Sequence, residues 1–165
     1  MENNVISKFE KFTFDNFVVG ASNRFAYAAA KRVADEVDSK SPEILPFSCN
    51  PLLIYGEKGA GKTHLLNAIR NEIKVRKPNL QIAFVDGSSS IDEVSTNADV
   101  LLVDDVQLYM NDEFFNIYNS FINSNKQVVL TADKIYSQFD CGLMADIAPA
   151  DFETKSKIEN KRNTK

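Results

Sequence analysis

The residues Gly56-Glu57-Lys58-Gly59-Ala60-Gly61-Lys62-Thr63 follow directly on the apolar run Leu52-Leu53-Ile54-Tyr55. They match the phosphate-binding loop pattern G-x-x-x-x-G-K-[ST], between a predicted strand and a predicted helix. Gly56, Gly59 and Gly61 allow the backbone to curl so that successive N–H groups face one anion. Lys62 can then reach the β- and γ-phosphates, and the Thr63 hydroxyl can ligate Mg²⁺. The stretch therefore predicts a nucleoside triphosphate site, next to a helix N-terminus that favours anions.

The composition indicates a single soluble globular domain. The chain has 165 residues, of which 44% are hydrophobic and 25% charged, enough for a sizeable core. Its formal charge is −4, so the composition shows no excess of positive charge of the kind that binds nucleic acid. Cys49 and Cys141 are isolated and predict reduced thiols. With no apolar run long enough for a membrane span and no signal peptide at the first residues, we expect a cytoplasmic protein without membrane contact.

Apolar runs separated by turn residues predict alternating strands and helices. Five strands are expected, at 51–55, 80–85, 98–103, 127–130 and 142–147. Helices are expected at 23–37 with Ser22 as N-cap, at 62–75, and after Asn111 or Asp112, where aromatic residues recur at helical spacing. This alternation predicts a three-layer α/β fold with a mainly parallel sheet.

Two segments outside these elements are also assigned. Phe12, Phe14 and Phe17 alternate with polar residues and predict an extended segment laid against the domain. A polar linker carrying Pro42 and Pro46 is expected before the first strand.

A pair of carboxylates follows the third predicted strand. Asp104 and Asp105 end the apolar run Val100-Leu101-Leu102-Val103, and in a parallel sheet ligands lie beyond the carboxyl ends of the strands. One carboxylate would hold Mg²⁺ through its water shell, and the other would orient or deprotonate the attacking water. We assign Asp104 to the metal and Asp105 to the water. A solvated acidic turn is the alternative, and the preceding phosphate loop favours the nucleotide role.

A weaker signal follows the fourth predicted strand. In Thr131-Ala132-Asp133 a polar side chain would lie between the two other motifs and contact the γ-phosphate, although strands often end in such residues for reasons of turn formation. The guanine-reading pattern N-K-x-D is absent, because Asn125-Lys126-Gln127-Val128 lacks the aspartate. ATP is therefore preferred over GTP. The single histidine, His64, has no metal-ligand partners in sequence and is expected to pack or to form hydrogen bonds.

Several segments resemble the AAA+ ATPase domain of the DnaA family of bacterial replication initiators. The most specific runs from Phe12 to Ala30, because P-loop proteins in general do not share it. The others are Asn50-Pro-Leu-Leu-Ile-Tyr-Gly, Gly61-Lys-Thr-His-Leu, Asp99-Val-Leu-Leu-Val-Asp-Asp-Val-Gln, Glu113-Phe-Phe, Lys126-Gln-Val-Val-Leu-Thr-Ala-Asp, and the stretch from Gly142 to Lys157.

The resemblance implies an AAA+ core with the sheet order 5-1-4-3-2. It implies that Val18, Val19 and Asn23 lie near the adenine, and that Asp133 occupies the family's first sensor position. It also implies the domain division: a flexible N-terminus at 1–11, the ATP-binding domain at 12–150, and the start of a helix with a basic tail at 151–165. In this family ATP binding drives assembly on origin DNA.

Three departures from the family pattern bear on function. The segment between Asp86 and Ala98 is much shorter than in the family, where inserted helices contact single-stranded DNA. No arginine lies between Arg76 and Arg162, so the family's arginine finger has no counterpart there. The lid, the duplex-DNA-binding domain and the N-terminal helicase-contact domain are also expected to be missing.

Three functions are compatible with this pattern. The first is an ATP-binding protein that takes part in replication initiation or its regulation through full-length DnaA or another AAA+ subunit, with weak or indirect DNA contact. The second is a stand-alone weak ATPase of the helicase-loader type, and the third an inactive remnant. The residues leave open whether ATP is hydrolysed.

Overall fold

The computed structural model describes residues 8–37 and 49–164. The predicted linker with Pro42 and Pro46 and the first seven residues of the predicted flexible N-terminus lie outside these ranges. The described part contains five strands and four α-helices, which are in chain order α1 (Arg24–Glu36), β1 (Leu52–Gly56), α2 (Lys62–Arg76), β2 (Ile82–Val85), β3 (Val100–Val103), α3 (Asp112–Asn123), β4 (Gln127–Ala132), β5 (Leu143–Ile147) and α4 (Phe152–Asn163).

The five strands form one parallel sheet in the order β2-β3-β4-β1-β5. Read from the other edge, this is the order 5-1-4-3-2 that was predicted, and the three-layer α/β class is confirmed. The register sets Leu53 beside Leu130 on β4 and beside Met144 on β5. Since all strands run in one direction, their carboxyl ends share one edge of the sheet.

Side chains that alternate along the strands pack into two separate hydrophobic cores, one on each face of the sheet. Leu52 and Ile54 pack with α1 and α2, whereas Leu53 packs on the opposite face with aromatic side chains of α3. These are Phe114, Tyr118 and Phe121, which are buried together with Phe139 from a 3₁₀ turn after β4. The near-continuous apolar strands therefore reflect burial on both faces. None of the described helices is both long and apolar enough to cross a membrane.

Several predicted boundaries shift. Strands β2 and β3 begin later than predicted, since Leu80, Gln81, Ala98 and Asp99 lie outside them, whereas β4 continues to Ala132. Asn111 caps α3, because its side chain accepts a hydrogen bond from the Phe114 N–H.

The N-terminal segment differs from the prediction in two respects. A 3₁₀ turn at Lys8–Lys11 precedes a turn in which the Phe17 N–H donates to the Phe14 carbonyl at 3.2 Å, so the segment is not extended. Phe14 and Phe17 are nevertheless buried against the domain. The prediction of Ser22 as N-cap is wrong, because α1 begins at Arg24 and Asn23 holds the cap position.

Candidate nucleotide-binding site

The phosphate loop connects the end of β1 to the start of α2. Gly59 and Gly61 have φ values of 81° and 107°, which favour glycine over any residue with a Cβ atom. At Gly56 a Cβ would lie 2.6 Å from the Ile147 carbonyl oxygen, and at Gly61 it would lie 3.0 Å from Cε2 of Phe17. The three glycines of the loop are thus required by backbone conformation and close approach.

Lys62 is folded into this loop. Its side chain is 7% exposed, and its Nζ donates to the carbonyl oxygens of Gly56 at 2.6 Å and Glu57 at 2.8 Å. An ammonium group buried this deeply requires such acceptors or an anion. The loop therefore holds its cation in place beside the N-terminus of α2, where a phosphate is also favoured.

The carboxylate of Asp104 meets the phosphate loop directly. Its Oδ2 accepts a hydrogen bond from Oγ1 of Thr63 at 2.8 Å, and its Oδ1 accepts one from Oγ1 of Thr131 at 2.6 Å. Burial raises the pKa of Asp104 above its ordinary value, and the two hydroxyl bonds act in the opposite direction. A threonine hydroxyl next to a carboxylate is the donor set that Mg²⁺ takes when it also keeps water and phosphate ligands, so these residues fit a magnesium nucleotide.

Asp105 is tied to the same group through its backbone. It has a φ of 53°, and its N–H donates to Oγ1 of Thr131 at 2.8 Å. Gln107 Nε2 lies 3.4 Å from its Oδ1. The structure therefore brings Thr63 and Asp104 together, and Thr131 connects Asp104 to the backbone of Asp105.

Asp133 lies one residue beyond β4 and is exposed. Its Oδ1 accepts a hydrogen bond from the Tyr136 hydroxyl at 2.8 Å. The side chain of β4 that bonds the Asp104 carboxylate is instead that of Thr131, which the sequence indicated only as part of a polar strand end. A threonine amid the buried residues of β4 is the signal that marks it.

The loop 18–23 adjoins the phosphate loop through Phe17, whose ring approaches Gly61. The Asn23 side chain accepts from the Gly20 N–H at 2.9 Å and donates to the Val18 carbonyl at 3.0 Å. Asn23 thus shapes the loop from within rather than capping α1 through its side chain. Val19 is 42% exposed and leaves an apolar side chain on the loop surface.

Helix α4 packs against this loop. A Cβ at Gly20 would lie 2.1 Å from Oγ1 of Thr154, which is itself buried. The Ala148 N–H donates to the Ser22 carbonyl at 3.1 Å. The segment after β5 therefore supports the loop that follows Phe17.

His64 connects the N-terminal segment to α2. Its Nε2 lies 2.8 Å from the Thr13 carbonyl oxygen, and its ring stacks on Phe12 and meets Phe17 edge to face. The packing and hydrogen-bonding role predicted for this histidine agrees with these contacts.

The parallel sheet, the glycine loop with its buried lysine and the carboxylate beyond β3 define a P-loop NTPase fold. Residues 9–146 match the family model described as the bacterial DnaA ATPase domain. The chromosomal replication initiator protein DnaA of Roseobacter denitrificans is 34% identical over 188 residues, which covers 92% of this chain and 40% of the relative. The chain belongs to the bacterial DnaA ATPase domain family.

Solved structures agree with this assignment. Domain III of the Thermotoga maritima initiator DnaA aligns with a TM-score of 0.74 and 32% identity, over 91% of this chain and 72% of that one. The replication initiator DnaA bound to AMPPCP and single-stranded DNA aligns with a TM-score of 0.73 and 29% identity, over 93% and 55% of the two chains. The DnaC helicase loader, at 17% identity and a TM-score of 0.62, shares the fold.

The Roseobacter alignment is longer than this chain. It extends over 188 residues although this chain has only 165. The relative therefore carries residues inside the aligned region that have no counterpart here. The chain spans less than half the length of that relative.

Proposed function

We propose that this chain is an ATP-binding domain that takes part in the initiation of DNA replication, or in its regulation, through another AAA+ subunit such as full-length DnaA. The observation that carries the proposal is the contact of Thr63 with Asp104, 2.8 Å long, because it joins the phosphate loop to the carboxylate beyond β3. The AMPPCP bound by a DnaA relative supports ATP as the nucleotide.

The roles of the side chains follow from this geometry. Lys62 and the loop N–H groups would hold the phosphates, and Thr63 and Asp104 would hold Mg²⁺, which neutralises phosphate charge when bound. Asp105 would orient the attacking water.

Two further groups complete the proposed site. Val18, Val19 and Asn23 would contact the adenine, since their loop adjoins the phosphate loop through Phe17. The exposed Asp133 would turn toward the γ-phosphate, which requires its bond to Tyr136 to break.

Two exposed apolar side chains support a protein partner. Leu108, after β3, is 65% exposed, and Ile135, after β4, is 49% exposed. Both follow the carboxyl ends of strands that carry nucleotide-site residues. A neighbouring subunit that covers them would lie at the edge of the sheet where parallel α/β folds bind their ligands.

The distribution of arginines indicates what that neighbour supplies. Residues 77–161 contain no arginine, and an arginine finger raises phosphoryl-transfer rates by about 10³–10⁵. We propose that the isolated chain holds ATP with little turnover. Contact with DNA would be weak or indirect, given the net charge of −4, and would then fall steeply with salt.

Titration with ATP and ADP in the presence of Mg²⁺, with and without full-length DnaA, tests the proposal. The variants are Lys62→Ala and, as a matched control in the same loop, Lys58→Ala, since Lys58 is exposed. We expect Lys62→Ala to bind ATP at least roughly tenfold more weakly, because a charged hydrogen bond contributes about 1.5–3 kcal/mol. Lys58→Ala should bind nearly as the wild type does.

Each of the other outcomes decides against the proposal in a different way. Failure of the wild type to bind ATP at millimolar concentration would indicate an inactive remnant. Turnover well above background without DnaA, abolished by Lys62→Ala, would indicate a stand-alone ATPase of the helicase-loader type. If ATP binds but the chain neither binds DnaA nor alters its unwinding of origin DNA, the proposal of DnaA as the partner is wrong.

A further inference from the structure

We propose that Thr131 is a positioning residue for the magnesium nucleotide, because its one hydroxyl group bonds both the carboxylate of Asp104 and the backbone N–H of Asp105. Its Oγ1 donates to Oδ1 of Asp104 at 2.6 Å and accepts from the N–H of Asp105 at 2.8 Å. This inference rests on the proposed function, because it concerns the metal side of the same site.

The sheet fixes where this hydroxyl lies. Thr131 is on β4, between β3 and β1, and it pairs with Ile54. The preceding residue, Leu130, pairs with Val103, so Thr131 lies level with the residue that follows β3. Thr131 is fully buried, and strands on both sides of β4 restrain its backbone. The hydroxyl is therefore held by the rigid centre of the sheet.

The bond to Asp104 determines which carboxylate oxygen faces the phosphate loop. Because Oδ1 is directed to Thr131, Oδ2 is directed to the Thr63 hydroxyl at the start of α2. Without the bond from Thr131, only the bond from Thr63 would orient the carboxylate toward the metal position. A group that orients a metal-binding carboxylate in this way is worth roughly 10–100-fold in metal affinity.

The bond from the Asp105 N–H to Thr131 restrains the backbone of Asp105 itself. Asp105 has a left-handed φ of 53°, a conformation that is uncommon for residues other than glycine, although aspartate adopts it more readily than most. Its N–H is directed at Oγ1 of Thr131, which supports this turn. One hydroxyl thus accepts from the backbone N–H of Asp105 and donates to the carboxylate of Asp104.

The test compares Thr131→Val, which keeps the shape and removes the hydroxyl, with Thr131→Ser, which keeps the hydroxyl. Tyr118→Phe is the matched control, since it removes another hydroxyl from a buried side chain, on the α3 side of the sheet. ATP affinity is measured for each protein with Mg²⁺ and with EDTA. The ratio of the two dissociation constants gives the gain from magnesium, and thermal unfolding without nucleotide reports the effect on folding.

We expect Thr131→Val to reduce the gain from magnesium roughly tenfold, while its affinity for ATP in EDTA stays within about twofold of the wild type. Thr131→Ser should restore most of the gain, and Tyr118→Phe should leave it unchanged. Equal weakening with and without Mg²⁺ would show a merely structural role and overturn the inference, as would an unchanged gain in Thr131→Val. If Thr131→Val does not fold, a loss of the gain in a folded Thr131→Ser overturns it as well. Failure of the wild type to bind ATP would instead overturn the proposed function.

Discussion

Replacing Asp104 with asparagine should leave the metal-free protein at least as stable at pH 7, while weakening its binding of the magnesium nucleotide. Asp104 is 8% exposed, and burial raises its pKa above the ordinary value. The neutral form is therefore favoured in the folded protein relative to the unfolded chain. Asparagine matches that neutral form in size and shape.

The magnitude follows from the two hydroxyl bonds that Asp104 accepts. A hydrogen bond to a charged group contributes about 1.5–3 kcal/mol and one between neutral groups about 0.5–1.5 kcal/mol, so the variant loses about 2–3 kcal/mol over the two bonds. Removing a buried carboxylate recovers several kcal/mol of desolvation. We expect a net gain of 0 to about 2 kcal/mol in the free energy of unfolding, which corresponds to at most about 4–8 °C in Tm.

The pH dependence has a defined sign. Because the pKa of Asp104 is raised in the folded state, the wild type loses stability as the pH rises from the unfolded-state value, about 3.9, through the folded-state value. The asparagine variant lacks this loss, so its advantage should be near zero at about pH 4 and largest at pH 7.

Urea unfolding in EDTA at several pH values measures this difference. Asp133→Asn is the control, because it makes the same change at an exposed carboxylate. A variant that is more than about 1 kcal/mol less stable than the wild type at pH 7, with the control unchanged, would refute the reasoning. In a parallel titration at pH 7, Mg²⁺-ATP should bind Asp104→Asn at least roughly tenfold more weakly.

Two further predictions concern glycines. Gly142→Ala should lower the free energy of unfolding in urea by about 3 kcal/mol, because its Cβ would lie 2.0 Å from the Pro51 carbonyl oxygen. Gly87→Ala is the control, since nothing lies within 4 Å of its Cβ, and it should change stability by no more than about 1 kcal/mol. Equal effects of the two substitutions would contradict the packing argument. Gly61→Ala should weaken ATP binding at least roughly tenfold, because the φ of 107° and the nearby Phe17 ring both disfavour a side chain. Unchanged affinity in a nucleotide titration would show that the loop tolerates the Cβ.

Local patterns in the sequence predicted much of the fold and part of the site. The glycine spacing and the apolar runs predicted the phosphate loop and the alternation of strands and helices, because these depend on neighbours in the chain. The strand order came from the family resemblance. Asp104 and Asp105 were placed correctly at the carboxyl edge, since any parallel sheet collects its strand ends there.

The parts that were missed depend on contacts between distant segments. The bond from Thr131 to Asp104 follows from the register of β4 against β3, which no local pattern specifies. Asn23 shapes the loop 18–23 through its side chain, whereas the sequence predicted a cap at Ser22 because both residues are common before a helix. The close approach of Gly20 to Thr154 joins segments more than a hundred residues apart.

The contacts of Lys62 indicate that the proposed site would be better suited to binding ATP than to hydrolysing it. Its Nζ already lies within the loop, bound to the carbonyl oxygens of Gly56 and Glu57, and Asp104 already faces Thr63. Binding of ATP to such a preformed site would cost little ordering entropy, which favours affinity. Chemistry has a different requirement, because the transition state needs added positive charge at the γ-phosphate, and residues 77–161 offer no arginine for it. Addition of an AAA+ subunit with an arginine finger should therefore raise the turnover rate much more than the affinity for ATP.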